Sequence, residues 1–257
     1  MDINDNKITD REIYLTRMER SILDKMFFID KVFEPFEYVL DFGCANGVLI
    51  KALREMCPEY RYAGYDIDSD MIAAARSKLP GVPFFTDWDS IALPFERCLL
   101  NISSTIHEVY SYGTKADVEQ FWERVFGSGF RYVTIRDMMF SQSLERPADE
   151  TQLAAVRAGG FEKQLEDFEQ VRGEITTQKQ LVHFLLKYRY TQNWEREVRE
   201  DYFPISAEAL LALVPDNYSI TFCERFTLPF TAWQIRRDFG IDLTDHTHIK
   251  LILERRD

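Results

Sequence analysis

One short loop holds the side chains whose chemistry is easiest to assign. It reads Asp41-Phe-Gly-Cys-Ala-Asn-Gly47, follows a short β-rich run and precedes an amphipathic helix. Gly43 and Gly47 permit backbone conformations and close approaches that a Cβ would block. The N-terminus of the following helix offers unpaired N–H groups to a polar ligand. The loop is therefore typical of a turn that holds a polar cofactor.

Two acidic residues stand where the next two predicted strands end. Asp66 lies nineteen residues after the loop, at the end of the run RYAGYD, and Asp87 follows the third strand. A carboxylate at the end of the second strand can accept hydrogen bonds from both ribose hydroxyls of an adenosine. These positions predict an adenosine-containing cofactor at the mouth of a parallel α/β sheet. A dinucleotide is disfavoured, because the G-x-G-x-x-G pattern would need a third glycine where Val48 stands.

The pattern resembles the class I S-adenosylmethionine (SAM)-dependent methyltransferases over roughly residues 36–137. Their first motif, acidic-x-Gly-x-Gly-x-Gly, is matched by the loop, with Ala45 in place of the middle glycine. Their second motif, an acidic residue that ends strand two, is matched by Asp66. Their third acidic residue contacts the adenine amine and is matched by Asp87, with Trp88 beside it to stack on the ring. The resemblance implies that SAM is the cofactor. The implied cofactor-binding residues are Asp41, Gly43, Ala45, Asn46, Gly47, Asp66, Ile67, Met71, Asp87, Trp88 and Ser103.

The segment after the fourth predicted strand would face the methyl acceptor in such a fold. Methyl transfer from a sulfonium is an in-line displacement, in which the protein aligns the nucleophile and can remove its proton. His107 is the candidate base, because an unperturbed histidine has a pKa of about 6.5. Glu108 and Tyr110 can orient this base or the substrate. A His107 that is only hydrogen-bonded and shapes the cofactor pocket explains the sequence equally well.

Alternating strand and helix patterns predict the architecture that positions these residues. Five β-rich runs between residues 38 and 137 alternate with helical patterns, residues 138–204 contain only helical patterns, and a helix and two strands close the chain. The predicted fold is α/β: a doubly wound, mostly parallel seven-stranded Rossmann-like methyltransferase sheet with an inserted helical cap. The predicted parts are an N-terminal helical segment (1–35), a SAM-binding domain (36–137 and 205–257) and the cap (138–204).

An amphipathic helix is predicted between Asp10 and Phe33. Its apolar stripe is formed by Leu15, Met18, Ile22, Met26, Ile29 and Phe33. Tyr14, Arg17 and Lys25 interrupt the stripe, where they either close over the cofactor or are only solvated.

Other polar groups allow two interpretations each. Arg136 and Asp137 can meet the substrate, hold the cap or form an ion pair within the sheet. The cations and aromatic residues between residues 183 and 190 suit a nucleic-acid groove or a core with a basic face. His246 and His248 share one face of a strand as metal ligands do, but no third ligand has a suitable spacing. We therefore predict no metal and a structural role for this pair.

Composition restricts the partners and the compartment. The net charge of −12 disfavours a large nucleic-acid footprint. The segment Asn101-Ile-Ser-Ser also lacks the Asn/Asp-Pro-Pro-aromatic motif of methylases that modify exocyclic amines of DNA bases, so no DNA substrate is expected. The four cysteines form no CxxC pair, the N-terminus has no apolar signal core, and no apolar run reaches eighteen residues. These features indicate a protein of the reducing cytoplasm without membrane contact.

Three functions follow in order of preference. The first is a SAM-dependent methyltransferase that acts on a small or medium-sized acceptor. The second is an RNA methyltransferase that binds RNA through Lys187 and Arg189 of the cap. The third is a non-catalytic module that binds SAM or a protein partner. The sequence leaves the acceptor and the oligomeric state open.

Overall fold

The computed structural model describes residues 21–32 and 35–256. Their strands form a seven-stranded sheet of order β3-β2-β1-β4-β5-β7-β6, in which β7 runs antiparallel to both β5 and β6 and the other pairs are parallel. The predicted doubly wound, mostly parallel sheet is confirmed. The strands are β1 (Tyr38–Phe42), β2 (Arg61–Tyr65), β3 (Phe84–Phe85), β4 (Cys98–Ser103), β5 (Tyr132–Met138), β6 (Tyr218–Phe226) and β7 (His248–Arg255).

Helices cover both faces of this sheet and form the cap. They are α1 (Ile22–Lys25), α2 (Val48–Met56), α3 (Ser69–Lys78), α4 (Ile106–Tyr112), α5 (Lys115–Gly127), α6 (Glu150–Arg157), α7 (Glu162–Arg172), α8 (Gln178–Lys187), α9 (Trp194–Glu197), α10 (Ala207–Ala212) and α11 (Pro229–Phe239). No helix in the described ranges is long and apolar enough to cross a membrane.

The central strands are apolar because both of their faces are covered. On one face, Leu40 and Leu100 pack in a cluster with Phe121 of α5. On the other face, Val39 packs in a second cluster with Ile50 of α2. Burying side chains of this size contributes about 1.5–3 kcal/mol each, so the two clusters fix the sheet between its helices. The parallel strands therefore end at one rigid edge, where the candidate site lies.

The cap between β5 and α10 has an apolar core of its own. This core contains Leu165, Phe168 and Phe184, and it also contains Ile235 and Phe239 from α11. The sequence-based division assigned residues 205–257 wholly to the sheet domain, and for α11 that assignment is wrong. Ile235 and Phe239 lie four residues apart, on one face of the helix, and that face is buried against the cap.

The N-terminal segment differs from its prediction within the described residues. Helix α1 ends at Lys25 and the chain continues in turns up to Lys31, so the helix does not reach Phe33. Positions 10–20 and Phe33 itself lie outside the described residues. Apolar residues at helical spacing are present here, but Met26, Phe27 and Phe28 are consecutive buried residues, which a single helical face cannot accommodate.

Candidate cofactor and substrate site

The loop after β1 adopts the left-handed conformations that its glycines suggested. Gly43 and Gly47 both have φ of +75°, and Ala45 has φ of +44°. A Cβ on Gly43 would lie 2.4 Å from Oγ1 of Thr105, whose single hydroxyl hydrogen is shared between the carbonyl oxygens of Phe42 and Ser103. Glycine is therefore required at position 43 both by its backbone conformation and by this close approach.

Asp66 is tied directly to this loop. Its Oδ2 accepts the backbone N–H of Ala45 at 2.8 Å, and its Oδ1 accepts the backbone N–H of Asp68 at 2.9 Å. A non-glycine residue at positive φ is strained, and the hydrogen bond from the Ala45 N–H to Asp66 stabilises this conformation. Burial raises the pKa of the Asp66 carboxyl above its usual value. A carboxylate offers about four acceptor positions, so two remain for ligand hydroxyls.

Asp41 lies beneath the loop and does not reach the surface. Its carboxylate accepts a hydrogen bond of 2.7 Å from Nδ2 of Asn101, and Oδ1 of Asn101 accepts one of 3.1 Å from Thr134. Burial raises the pKa of Asp41 to about 6. The support from β4 and β5 was not predicted, because single polar residues in adjacent strands carry no local sequence signal.

The remaining predicted cofactor residues lie around the same edge. Oδ1 of Asn46 and Oγ of Ser103 are buried and form no hydrogen bond within the described residues. Met71 is buried at the start of α3, whereas Ile67 and Asp87 are exposed. Orphaned buried polar atoms are rare in folded proteins. Asn46 and Ser103 are therefore available to a ligand.

Trp88 occupies a different environment from the one expected. Its indole is only 7% exposed and packs edge-on or tilted against Tyr65, Phe42 and Phe130. The guanidinium of Arg124 lies 5.8 Å from the ring centroid. These contacts use most of the ring surface, so a stacked adenine would need a side-chain movement. Stacking by Trp88 remains a prediction.

A cavity of about 230 Å³ lies between the sheet edge and the cap. Gly43, Asp66 and Ser103 line it on the cofactor side, and the acceptor side is formed largely by the cap and the start of β7. The lining residues on that side include Ser104, His107, Glu108, Arg136, Met138, Leu186, Tyr190, Arg196, Glu197, Glu200, Tyr202, Leu228, Thr231 and His248.

Lys25 also lines the cavity and is only 5% exposed. Its ammonium forms no hydrogen bond or ion pair with any part of the chain that the structure describes. Burial and the nearby charge of Arg136 lower its pKa to about 8. The guanidinium of Arg136 is itself paired with Asp24 at 2.7 Å. A buried, unpaired ammonium is costly, and Lys25 is therefore suited to an anionic ligand group.

His107 is held between two carboxylates. Its Nδ1 lies 2.6 Å from Oδ1 of Asp137, and its Nε2 lies 3.0 Å from Oε1 of Glu200 in the cap. Asp137 also accepts the backbone N–H groups of Thr105 and Ile106, which begin α4. His107 thus joins the end of β5 to the cap.

These carboxylates determine the protonation state of His107. Burial acts against the charged imidazole, but Asp137 and Glu200 outweigh it and raise the pKa of His107 to about 10. The pKa of Glu200 falls to about 2 despite its burial, because His107 and Arg196 are beside it. An imidazolium with both N–H groups donated has no lone pair to accept a proton. The geometry therefore supports the structural interpretation of His107 and opposes its role as a base.

Glu108 and Tyr110 are also engaged by protein groups. Oε1 of Glu108 accepts a bond of 2.8 Å from Arg196, which also binds Glu200 at 2.9 Å. Burial raises the pKa of Glu108 to about 7. The hydroxyl of Tyr110 accepts a hydrogen bond of 2.9 Å from Nε1 of Trp122 in α5 and does not line the cavity. For Tyr110, the predicted catalytic role is contradicted by this placement.

The same cluster contains candidate metal ligands. His107, Glu108 and Glu200 each bring one ligand atom within 4.8 Å of the others. Arg196 already pairs with both glutamates and Asp137 with the histidine. The ligand atoms of this cluster are therefore already paired with protein groups.

Lys187 and Arg189 do not form the basic face that was expected on the cap. Lys187 is fully buried, and its ammonium binds the carbonyl oxygens of Glu197 and Glu200. Arg189 pairs with Asp238 at 3.1 Å. The interpretation of residues 183–190 as an RNA groove is wrong, because an RNA backbone cannot reach the buried lysine.

Comparison with known proteins identifies the part of the chain that carries the loop. Residues 39–127 match a protein family described as a methyltransferase domain. These residues are similar to a methyltransferase domain. They include β1 to β4, the loop, Asp66, Asp87 and His107, and the resemblance drawn from the loop is confirmed. The cap and strands β5 to β7 lie outside the match.

Individual proteins similar to this chain include methyltransferases, each similar to a different extent. Trans-aconitate 2-methyltransferase of Acidovorax sp. (strain JS42) is 38% identical over 61 residues, which are 22% of this chain and 24% of that protein. The chain thus matches about a quarter of that relative's length. A SAM-dependent methyltransferase structure from Anabaena variabilis covers 93% of this chain and 85% of its own, with 12% identity and a TM-score of 0.50. The plantazolicin methyltransferase BpumL gives 11% identity and a TM-score of 0.49, with 96% and 86% covered. The Anabaena structure extends the shared fold beyond residue 127.

Proposed function

We propose that the protein is a SAM-dependent methyltransferase that acts on a small or medium-sized acceptor. The observation that carries this proposal is the hydrogen bond from the Ala45 amide to Asp66, which joins the glycine loop to a carboxylate on the next strand. The pair lies at the carboxyl edge of a doubly wound sheet, where such folds bind ligands.

The residues present fit this cofactor. Asp66 has acceptor positions for the ribose hydroxyls, and Gly43 leaves space that a Cβ would fill. Ser103 and Asn46 have unpaired buried polar atoms, and Lys25 supplies a positive charge for the α-carboxylate. When bound, SAM supplies a methyl group on a positively charged sulfur. The family's adenine contact at Asp87 is consistent with its exposed position.

The size and shape of the cavity support a small acceptor. Leu186, Leu228 and Met138 give its walls an apolar part, and the cap covers it opposite the sheet. Covering part of the site reduces the access of water, which protects the reaction from hydrolysis. Trans-aconitate 2-methyltransferase, by its name, methylates a small acid. The cap, proposed as residues 138–204 together with α11, supplies much of the acceptor side.

A non-catalytic module that only binds SAM is the second candidate. It is less favoured, because space for an acceptor lies beside Ser103 and Ser104. We also propose the reducing cytoplasm as the compartment, since Cys44, Cys57, Cys98 and Cys223 are all unpaired and the first three are buried.

Incubation of a cell extract with methyl-labelled SAM and the protein tests the choice of acceptor. Label should appear in the low-molecular-weight fraction and not in RNA or protein. Label in the RNA fraction alone would contradict the proposal. A protein that binds S-adenosylhomocysteine (SAH) but labels no fraction would favour the non-catalytic module.

A further inference from the structure

His248 lines the part of the cavity that would hold the acceptor, although its sequence context suggested only a structural role. It is the first residue of β7 and pairs in register with Met138, the last residue of β5. Because β7 is antiparallel to β5, its start lies at the same edge as the carboxyl ends of the parallel strands. The side chain is 5% exposed and lines the cavity together with Ser103 and Arg136.

A chain of hydrogen bonds beside His248 is compatible with a proton on its Nδ1. The hydroxyl of Thr227 donates to the carbonyl oxygen of Asp245 at 2.8 Å, and this carbonyl can only accept. The hydroxyl of Thr247 can then donate to Oγ1 of Thr227, 3.4 Å away. With its one hydrogen used in this way, Oγ1 of Thr247 accepts from Nδ1 of His248, 2.8 Å away, and this is the tautomer on which our proposal rests.

Nε2 of His248 is consequently left with a lone pair. It forms no hydrogen bond with the residues that the structure describes, although the ring lines the cavity. Burial lowers the pKa of His248 well below 6.5, and the nearby cations Arg136, His107 and Lys250 lower it further. His248 is therefore neutral at pH 7, whereas His107 is doubly protonated.

We propose that Nε2 of His248 accepts the proton of a hydroxyl group on the methyl acceptor. As the hydroxyl oxygen forms its bond to the methyl carbon, the carbon–sulfur bond breaks and its electron pair stays on sulfur. The hydroxyl proton moves to Nε2, and the products are a methyl ether, neutral SAH and a protonated His248. This inference rests on the proposed methyltransferase function.

The position of a base restricts the class of acceptor. An alcohol or phenol becomes nucleophilic as its proton is withdrawn, whereas a carboxylate is already deprotonated at pH 7. A neutral amine attacks through its own lone pair. An imidazole lone pair that lines the cavity therefore favours a hydroxyl acceptor over a carboxylic acid.

The tautomer can be measured without any substrate. The chain has four histidines, so long-range ¹H–¹⁵N correlation spectra of histidine-labelled protein are simple to assign with single variants. At pH 7 we expect His248 to have a protonated Nδ1 and an unprotonated Nε2, and His107 to have two protonated nitrogens. A protonated Nε2 on His248 would overturn the proposal.

The role in catalysis is tested with His248→Asn, whose amide replaces Nδ1–H toward Thr247 and has no atom at Nε2. The exposed His246 provides the matched control, His246→Asn. A panel of phenols, hydroxy acids and simple carboxylic acids serves as acceptors, with labelled SAM. For hydroxyl acceptors, His248→Asn should lower kcat about 100-fold or more with KM and SAH affinity unchanged, since general bases contribute about 10²–10⁴-fold. His246→Asn should behave as the wild type.

Two results would count against His248 as the base. One is methylation of carboxylic acids alone, and the other is methylation of a hydroxyl that survives in His248→Asn. Failure of the wild type to bind SAH would instead refute the proposed function, while the tautomer measurement would still decide the state of His248.

Discussion

Nε2 of His107 lies 3.0 Å from Oε1 of Glu200, and this ion pair connects α4, beside the sheet, to the cap. Both side chains are buried. Removing one partner leaves an uncompensated buried charge, which costs about 3–5 kcal/mol. Glu200→Gln should therefore lower the free energy of unfolding by about this amount, as measured by urea denaturation at pH 6. Glu195→Gln is the matched control, because Glu195 is exposed five residues earlier, and it should change stability by less than about 0.5 kcal/mol. Equal stabilities of the two variants would show that the pair does not hold the cap.

The same pair predicts a pH dependence of stability. In the folded protein His107 has a pKa of about 10, against an ordinary value of 6.5. Its contribution to the free energy of unfolding is therefore complete below pH 6.5 and is lost as pH rises through 10. Glu200 has a folded pKa of about 2 against 4.5, so its contribution is lost as pH falls from 4.5 toward 2. The pair should thus stabilise most between these limits. Urea denaturation at pH 6 and pH 9 should show a loss of stability at pH 9 that is smaller in His107→Gln. An identical loss in both proteins would contradict the assigned protonation of His107.

Replacing Lys25 should have opposite effects on the free and bound protein. Lys25→Met removes an ammonium that is buried without a partner among the described residues, so the melting temperature without ligand should rise. Affinity for SAH should fall about 10- to 100-fold, since a hydrogen bond to a charged group is worth about 1.5–3 kcal/mol. Affinity for 5′-methylthioadenosine, which has no carboxylate, should stay the same. The exposed Lys51 gives the control Lys51→Met. Unchanged SAH affinity in Lys25→Met would remove Lys25 from the cofactor site.

Gly43 and Gly81 have similar backbone conformations. Alanine variants at these two positions therefore distinguish the cost of backbone strain from the cost of a close contact. Gly81 has φ of +85° with open space around it, whereas a Cβ on Gly43 would lie 2.4 Å from Thr105. Gly81→Ala should cost about 1–2 kcal/mol of stability from its conformation alone. Gly43→Ala should cost about 1–3 kcal/mol more and weaken SAH binding. Chemical denaturation and calorimetry measure both quantities. Similar results for the two variants would contradict the close approach of Thr105 to the loop.

The sequence predicted the sheet and the cofactor loop well, because both depend on local patterns. Buried strands are apolar throughout, and the glycines and acidic residues of the loop stand at fixed positions after them. The substrate side was predicted poorly. Glu200 and Arg196 meet His107 and Glu108 only after the cap has folded over the sheet, across about ninety residues of chain. His107 was therefore interpreted without Asp137 and Glu200 as its partners, and His248 without the threonine hydroxyls beside its Nδ1.

Titration calorimetry with SAH on the wild type and on Asp66→Ala tests the central claim most directly. Oδ2 of Asp66 accepts a hydrogen bond of 2.8 Å from the backbone N–H of Ala45, and the carboxylate has acceptor positions left for the ribose hydroxyls. Asp216→Ala serves as the matched control, since Asp216 is exposed and does not line the cavity. We predict that the wild type binds SAH and that Asp66→Ala loses at least about tenfold in affinity, the equivalent of about 1.4 kcal/mol. No binding by the wild type, or unchanged binding in Asp66→Ala, would contradict the assignment of this site to SAM.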